Sequence, residues 1–417
     1  MISVAEAVKT ILEHIAILGT ERVNLLNALG RVLAEDVTSP LSIPPCDNSA
    51  MDGYAVRYVD IKGATLHHPA RLTICGDIPA GYAAPRPLTA GEAYRIMTGA
   101  PLPEGSDTVV MQEDTEAQDG TVHIFKECSR GSNIRKAGED IKPGDMVVKA
   151  GTVLNPAHIG VLASIKKAFI TVYQQPRVAI LSTGDELADV DEELAEGKIV
   201  SSNSYSLYAL VQDSGGIPVS LGIARDTRAD LRAKFMEGLH TDMILSSGGV
   251  SVGDYDFVKD VLKDLGAAMK FWKVAMRPGN PLAFGMIGGK PAFGLPGNPV
   301  SVMVSFEQFV RPSIRKMSGH TRLFRQVIEA TAQEQVTAKK GRTYFIRCRV
   351  SERDGELVAT TTGEQGSGIL MSMAKANGLL IIPEEKEGIE PGERVKVQIL
   401  DNEFAYRQWM GYGEQGA

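Results

Sequence analysis

The sequence predicts a multidomain α/β plus β protein. It has a helical N-terminal region, a β-rich domain inserted into it, a doubly wound α/β domain and a C-terminal β module. Three observations carry this. The chain has 417 residues, room for roughly three domains at about 150 residues each. Its apolar pattern changes period near Arg71, near Arg177 and again after Gly319. Between Arg177 and Met317, short apolar runs alternate with helical stretches, the pattern of a mostly parallel sheet covered on both faces.

Ser3-x-x-Glu6 reads as a capping box ahead of Val4, Val8, Ile11, Leu12 and Ile15 on one helical face, with the helix closing near Gly19. A second helix is expected over Leu25–Glu35, before Pro40, Pro44 and Pro45. Short runs punctuated by Pro and Gly follow: Arg71–Cys75, Ala93–Met97, Thr108–Gln112, Thr121–Phe125 and Met146–Lys149. Asn155-Pro156 starts another helix to about Ile165, with Pro at the favoured first position.

In the α/β region, strands are expected at Arg177–Ser182, Val219–Ile223, Met243–Leu245, Lys270–Val274, Leu282–Met286 and Ala292–Leu295. Helices are expected at Ser204–Ser214, Ala229–Leu239, Phe257–Leu265 and from Asn298 to about Met317. Runs at Tyr344–Val350, Leu357–Thr361, Leu379–Ile382 and Val395–Leu400 read as a separate β module, sandwich or barrel, with an irregular tail after Asp401.

Composition narrows the function. Lys plus Arg number 44 and Asp plus Glu 51, a formal charge of −7, so no general basic field grips nucleic acid. No apolar stretch approaches the roughly 18 residues of a membrane span, and no basic segment followed by an apolar core opens the chain. Four scattered cysteines without C-x-x-C, and seven histidines without H-E-x-x-H, disfavour zinc and disulfides. A reducing cytoplasm is expected, and any metal is expected to be a hard ion on oxygen ligands, such as Mg²⁺.

Three polar, glycine-rich segments follow expected strands: Ser182–Glu186, Ser246–Asp256 and Leu295–Ser301. In open α/β sheets ligands bind at the carboxyl ends of strands, so the three are expected to meet in one crevice. The second presents successive amides beside the Ser247 and Ser251 hydroxyls, as a phosphate cradle does. Its Gly248-x-x-x-x-Gly253 spacing mimics a P-loop, but Asp254-Tyr255 stands where Lys-Ser/Thr is required, which excludes a Walker NTPase. Asn298 and Pro299 open a helix with free amides. Asp185, Glu186, Asp226, Asp254 and Asp256 crowd carboxylates that a cation such as Mg²⁺ would relieve. Lys273, after Phe271-Trp272, and Arg277, in Arg277–Pro281, suit an oxyanion.

Taken together, the strings resemble the signature of the MoeA family, the molybdopterin molybdotransferases, which includes the E domain of gephyrin. The run Asp47–Ala55 (DNSAMDGYA) carries the resemblance first. Arg95–Pro101 (RIMTGAP), Asn133–Ile141 (NIRKAGEDI), Ser182–Leu187 (STGDEL) and Ser246–Gly253 (SSGGVSVG) follow in the same order, then Phe271–Pro281 (FWKVAMRPGNP), Gly294–Ser301 (GLPGNPVS) and Thr360–Ser367 (TTTGEQGS).

The resemblance implies a discontinuous helical domain I (residues 1–44 and 148–176), a β-rich domain II (45–147), a MogA-like α/β domain III (177–326) and a C-terminal β-barrel domain IV (327–417). It implies an elongated homodimer in which domain II of one copy faces domain III of the other. It implies insertion of molybdenum from molybdate into adenylylated molybdopterin, with Mg²⁺-dependent release of AMP. Asp52, Asp140, Glu186, Asp226 and Asp256 are the carboxylates it implies as catalytic, the last three also as metal ligands. Thr98, Arg135, Ser182, Gly184, Ser247, Gly248, Gly249, Ser251, Lys273, Arg277, Pro296, Asn298, Pro299 and Ser367 are implied as substrate contacts. A MogA-type adenylyltransferase and acceptor molybdoenzymes are the implied partners. Some family members carry lysine where Arg277 and Asn280 stand, which changes the cation count of the oxyanion pocket. An ATP-dependent adenylyltransferase and a non-catalytic scaffold are the competing readings.

Overall fold

The computed structural model describes residues 1–249, 257–401 and 404. The chain divides into two compact units, one of residues 1–21, 30–32 and 172–417, the other of residues 22–29 and 33–171.

The first unit opens with α1 (Val4–His14). Its capping box forms as the sequence predicts: the Ser3 side chain accepts from the Glu6 amide, and the Glu6 carboxylate accepts from the Ser3 amide at 2.8 Å. The helix stops at His14, not near Gly19, because Ile15 turns to extended backbone and is buried there.

Six strands then form one sheet: β1 (Arg177–Thr183), β2 (Ile217–Ala224), β3 (Met243–Ser247), β4 (Ala268–Lys273), β5 (Pro281–Ile287) and β6 (Lys290–Leu295). Their spatial order is β2-β1-β3-β6-β5-β4. The first four of these pair in parallel, and β5 and β4 extend the sheet antiparallel. Helices α2 (Ser202–Asp213), α3 (Arg228–Gly238) and α4 (Phe257–Asp264) connect the strands. After β6 the helix expected to about Met317 is present as α5 (Pro299–Ser305), a π-helical turn (Phe306–Val310) and α6 (Arg311–Met317). The two sheet faces bury separate cores: Val178 and Ile180 point into one with α1, α5 and α6, while Ala179 and Leu181 point into the other with α3 and α4. That alternation is the two-residue period of a strand covered on both sides.

The C-terminal module is a closed barrel. Strands β7 (Val327–Ala332), β8 (Thr343–Arg353), β9 (Glu356–Thr361), β10 (Gly378–Ile382) and β11 (Arg394–Ile399) run β8-β9-β7-β11-β10 and return to β8. Closure removes free sheet edges. Strand β7 lacked a clear apolar run and was not anticipated from the sequence. Phe345 and Leu379 join the same core as Phe293 and Phe309, so barrel and α/β sheet share buried surface.

In the second unit, a six-stranded sheet orders Thr108–Met111, Gly53–Val56, Glu92–Ile96, Ala70–Ile78, Thr121–Ile124 and Thr115–Gln118. The helix expected over Leu25–Glu35 is absent. One 3₁₀ turn (Leu25–Asn27), capped by the Asn24 side chain, is all that forms. Gly30 adopts φ +76°, a left-handed turn that breaks a helix. Leu33 and Ala34 then donate to the Thr152 and Thr171 carbonyls as extended backbone, and their long-range partners override local helical propensity.

Candidate functional site

A cleft of about 500 Å³ opens at the carboxyl ends of β1, β2, β3 and β6. The turn after β1 contributes Thr183, Gly184 and Glu186, that after β2 Asp226, that after β3 Ser247, Gly248 and Gly249, and that after β6 Pro296–Pro299. The Gly248-Gly249 turn requires its glycines. Their φ values are +95° and +64°, and a Cβ on Gly248 would lie 2.6 Å from the Thr183 carbonyl oxygen, one on Gly249 2.5 Å from Val258. The turn is held by the Gly248 amide donating to the Leu295 carbonyl at 3.1 Å.

Polar side chains brace the loops against each other. The Asn203 Nδ2, at the start of α2, donates to Ser247 Oγ (2.9 Å) and to the Gly297 carbonyl (2.7 Å). Ser247 Oγ donates to the Pro296 carbonyl at 3.3 Å. Asn298 occupies the N-cap position of α5 without capping it; its Nδ2 instead donates to Ser367 Oγ at 3.0 Å, while the Val300 amide donates to the Ser367 carbonyl. Two buried polar atoms in this region, Thr183 Oγ1 and Asn203 Oδ1, have no hydrogen-bond partner among the described residues. Buried polar groups are normally satisfied, so these two atoms, both on residues that line the cleft, leave hydrogen-bonding capacity open there.

One wall is acidic. The Asp226 amide donates to Asp185 Oδ1 at 3.2 Å. Burial raises the Asp226 carboxyl above the ordinary carboxylate range, and the charges of Asp185 and Glu186 raise it further. Oxygen donors crowded to this extent suit a hard cation. Among the described residues, no three His, Cys, Asp or Glu side chains are grouped closely enough to hold an ion by themselves.

A second cavity of about 450 Å³ lies where β8 meets the 276–278 loop and includes Arg277, Tyr344, Arg347 and Gln365. The Arg277 guanidinium stands 5.9 Å over the Tyr344 ring. Arg347 is 1% exposed; it donates to Ser372 Oγ (3.1 Å) and the Gly366 carbonyl (3.0 Å) and has no carboxylate partner among the described residues. Burial alone pushes its pKa down to about 10. A desolvated cation without a counter-ion is poised for an anion.

Asp52 and Thr98 meet in the second unit: Asp52 Oδ1 accepts from the Thr98 amide and hydroxyl, both at 2.7 Å. Those bonds, the backbone one first, hold the Asp52 carboxyl below its usual range. Arg135 pairs with Asn48 across the short ladder Ile134–Arg135 with Asn48–Ser49, and Asp140 is exposed nearby in sequence, its amide donating to the Ile43 carbonyl.

Three family models match the chain in order. They are the MoeA N-terminal region (domain I and II) over residues 2–165, a probable molybdopterin binding domain over residues 179–316, and the MoeA C-terminal region (domain IV) over residues 329–400. The molybdopterin molybdenumtransferase of a Nostoc species is 40% identical over 384 residues, 91% of this chain and 88% of that one. The chain belongs to the MoeA family. Another relative, the molybdopterin molybdenumtransferase of Staphylococcus aureus, is 36% identical over 413 residues, 98% of each chain. The crystal structure of the molybdopterin biosynthesis moeA protein from Pyrococcus horikoshii matches with a TM-score of 0.79 at 32% identity, covering 96% of this chain and 100% of that one. This MoeA-family chain is therefore a transferase of molybdenum cofactor biosynthesis.

Of the residues expected to share a site, the MoeA-family cleft collects Gly184, Glu186, Asp226, Ser247, Gly248, Gly249, Pro296, Asn298 and Pro299, with Ser367 bonded to its rim. Ser182 is buried beneath it, its hydroxyl 2.8 Å from that of Ser204. Arg277 lines the second cavity, and Lys273 is exposed at the end of β4 and lines neither. Asn280 closes its own loop, Nδ2 donating to the Val274 carbonyl at 3.0 Å. Asp52, Thr98, Arg135 and Asp140 belong to the other unit. Ser251 and Asp256, with Asp254, lie outside the described residues. Thr183 stands within the expected segment Ser182–Glu186, whereas Asn203 and Arg347 were not among the expected site residues. The polar run Ser201–Ser204 at the start of a helix was a usable signal for Asn203; Arg347, one of three arginines on strand Thr343–Arg353, was not set apart from Arg349 and Arg353 by any local pattern.

Proposed function

We propose that the chain inserts molybdenum from molybdate into the dithiolene of adenylylated molybdopterin, cleaving the adenylate pyrophosphate bond in a Mg²⁺-dependent step that leaves molybdenum cofactor and AMP. The observation that carries this is the convergence of the three sheet-end turns, amide-rich on one side and carboxylate-lined on the other, into one cleft. Ser247, Gly248 and Gly249 are the phosphate-facing elements of the reading, with Pro296, Asn298 and Pro299 closing the opposite wall. Molybdate, a dianion, is assigned to the arginine cavity, where Arg277 and the buried Arg347 supply positive charge and Gln365, two residues before Ser367, lines the wall.

Glu186 and Asp226 are the described residues that would hold Mg²⁺, which typically takes one or two carboxylates together with substrate phosphates and water. When bound, Mg²⁺ draws off negative charge at phosphate oxygens. The protein's own part is to fix the Gly248-Gly249 amides, to hold Asp226 and Glu186 adjacent, and to keep Arg347 dry so that its charge acts at low dielectric. Asp52, with Thr98, Arg135 and Asp140, is assigned to substrate handling by domain II. The domain limits given above, a homodimer and a cytoplasmic location belong to the same reading, as do a MogA-type adenylyltransferase as donor and molybdoenzymes as acceptors.

The test is reconstitution. Purified protein with molybdate, Mg²⁺ and adenylylated molybdopterin releases AMP and activates an apo-molybdoenzyme. Consumption of ATP with pyrophosphate release would instead make it the adenylyltransferase, and neither product would make it a scaffold.

A further inference from the structure

Strand β8 presents its residues alternately to two surroundings. Tyr344, Ile346, Cys348 and Val350 fill the barrel core. The opposite face carries, in a row, Phe345, Arg347, Arg349, Ser351 and Arg353. At one end of the row Phe345 is packed in the shared core and Arg347 is 1% exposed; at the other, Arg349 and Arg353 are exposed. At about 3.4 Å per residue, Arg353 lies about 20 Å along the strand from Arg347.

The exposed end of the row borders a shallow depression of about 540 Å³ that also holds Thr360, Thr362 and Lys375. Thr361 is common to this depression and to the arginine cavity, so the two adjoin. The Thr361 hydroxyl itself is taken up by Glu334, a carboxylate within the arginine cavity.

Several exposed cations elsewhere on the barrel are paired, Lys340 with Glu387, Lys386 with Glu393 and Arg394 with Glu329, whereas Lys339 and Lys396 are exposed singly among the described residues. Arg349, Arg353 and Lys375 make no ion pair among the described residues, although Glu356 stands opposite Arg353 in the strand register. On a chain of formal charge −7, Arg349, Arg353 and Lys375 gather three positive charges around one depression, with Glu352 and Glu356 the nearest acids on β8 and β9.

We propose that Arg349, Arg353 and Lys375 form a cationic track that collects a tetrahedral dianion from solvent and leads it along the outer face of β8 to the cavity of Arg277 and Arg347. This rests on the reading of that cavity as the molybdate site. The track accelerates capture and raises local concentration; it takes no part in chemistry. Electrostatic collection of this kind acts over about a Debye length and is weakened by salt.

The experiment is the molybdate dependence of AMP release at low and at near-molar salt, for the full chain and for R349Q/R353Q/K375Q. The track predicts that the triple variant raises the molybdate KM about 5- to 10-fold at low salt with kcat unchanged, and that the difference vanishes at high salt. R349K/R353K, which keeps the charge and loses the planar fork, retains the parent KM. A triple variant with an unaltered KM at low salt overturns the proposal, as does a loss confined to kcat. A parent protein that shows no molybdate-dependent turnover contradicts the molybdate reading itself, so the two failures are distinguishable.

Discussion

At Asp226, burial and the charges of Asp185 and Glu186 act in the same direction, raising the carboxyl above its ordinary pKa. The linkage follows from the sign of that shift. Below the unfolded-state pKa both states are protonated and nothing is lost. As pH rises, the unfolded chain gives up its proton first while the folded one retains it, so stability falls until the raised native pKa is passed. Asp226→Asn removes this dependence: its denaturation midpoint is expected to exceed the parent's at neutral pH and to converge with it in acid. Mg²⁺ is expected to restore stability to the parent at neutral pH and to leave Asp226→Asn unmoved; an equal response of both would detach Asp226 from the ion. Asp52 is the converse case, exposed, its carboxylate bonded among the described residues to Thr98 alone. Asp52→Ala is expected to abolish turnover with a thermal midpoint close to the parent's, and parent-like rates would remove it from the site.

Two elements of the α/β domain are held by different means. The Gly248-Gly249 turn depends on close backbone approach. Gly248→Ala therefore combines a left-handed residue with a Cβ against the Thr183 carbonyl, an expected cost of about 1–3 kcal/mol in urea denaturation. Gly63→Ala, at φ +79° with nothing within 4 Å, is expected to cost about 1 kcal/mol. The π-helical turn buries Glu307, which accepts from Arg311 Nε and Nη2 at 2.7 and 2.8 Å; Asp213 accepts from the same Nη2 at 2.8 Å. Arg311→Ala leaves Glu307 buried beside Arg325 alone and is expected to cost about 3–5 kcal/mol. A cost within experimental error would show that Arg325 suffices.

At this scale the sequence was legible wherever period and punctuation agreed. The capping box of α1, the six α/β strands and the helix from Asn298 follow from local pattern. The Leu25–Glu35 stretch did not, because its backbone partners, the Thr152 and Thr171 carbonyls, lie more than a hundred residues away. Within the site, the glycine-rich turns announced themselves by composition. Arg347 did not, because one arginine in a strand is as readily a surface residue, and only its 1% exposure distinguishes it.

Across the whole molecule, α/β sheet and barrel share a core, so the cleft and the arginine cavity are built on one rigid support. The motif around Asp52 belongs to the other unit, and no periodicity or spacing could relate it to the cleft; the family resemblance alone did so. For a homodimer with composite sites, an equimolar, unfolded-and-refolded mixture of Asp52→Ala and Asp226→Asn is expected to regain AMP release that neither shows alone. No recovery from a mixture shown to contain heterodimers would confine each site to one copy. The claim beneath all of this is that the sheet-end cleft takes the pterin nucleotide, and a crystal structure of the protein soaked with AMP tests it most directly. The nucleotide is expected between Gly248-Gly249 and Pro296–Pro299 with its phosphate toward Asp226 and Glu186; a nucleotide bound elsewhere, with that cleft empty, would contradict a pterin-nucleotide site there.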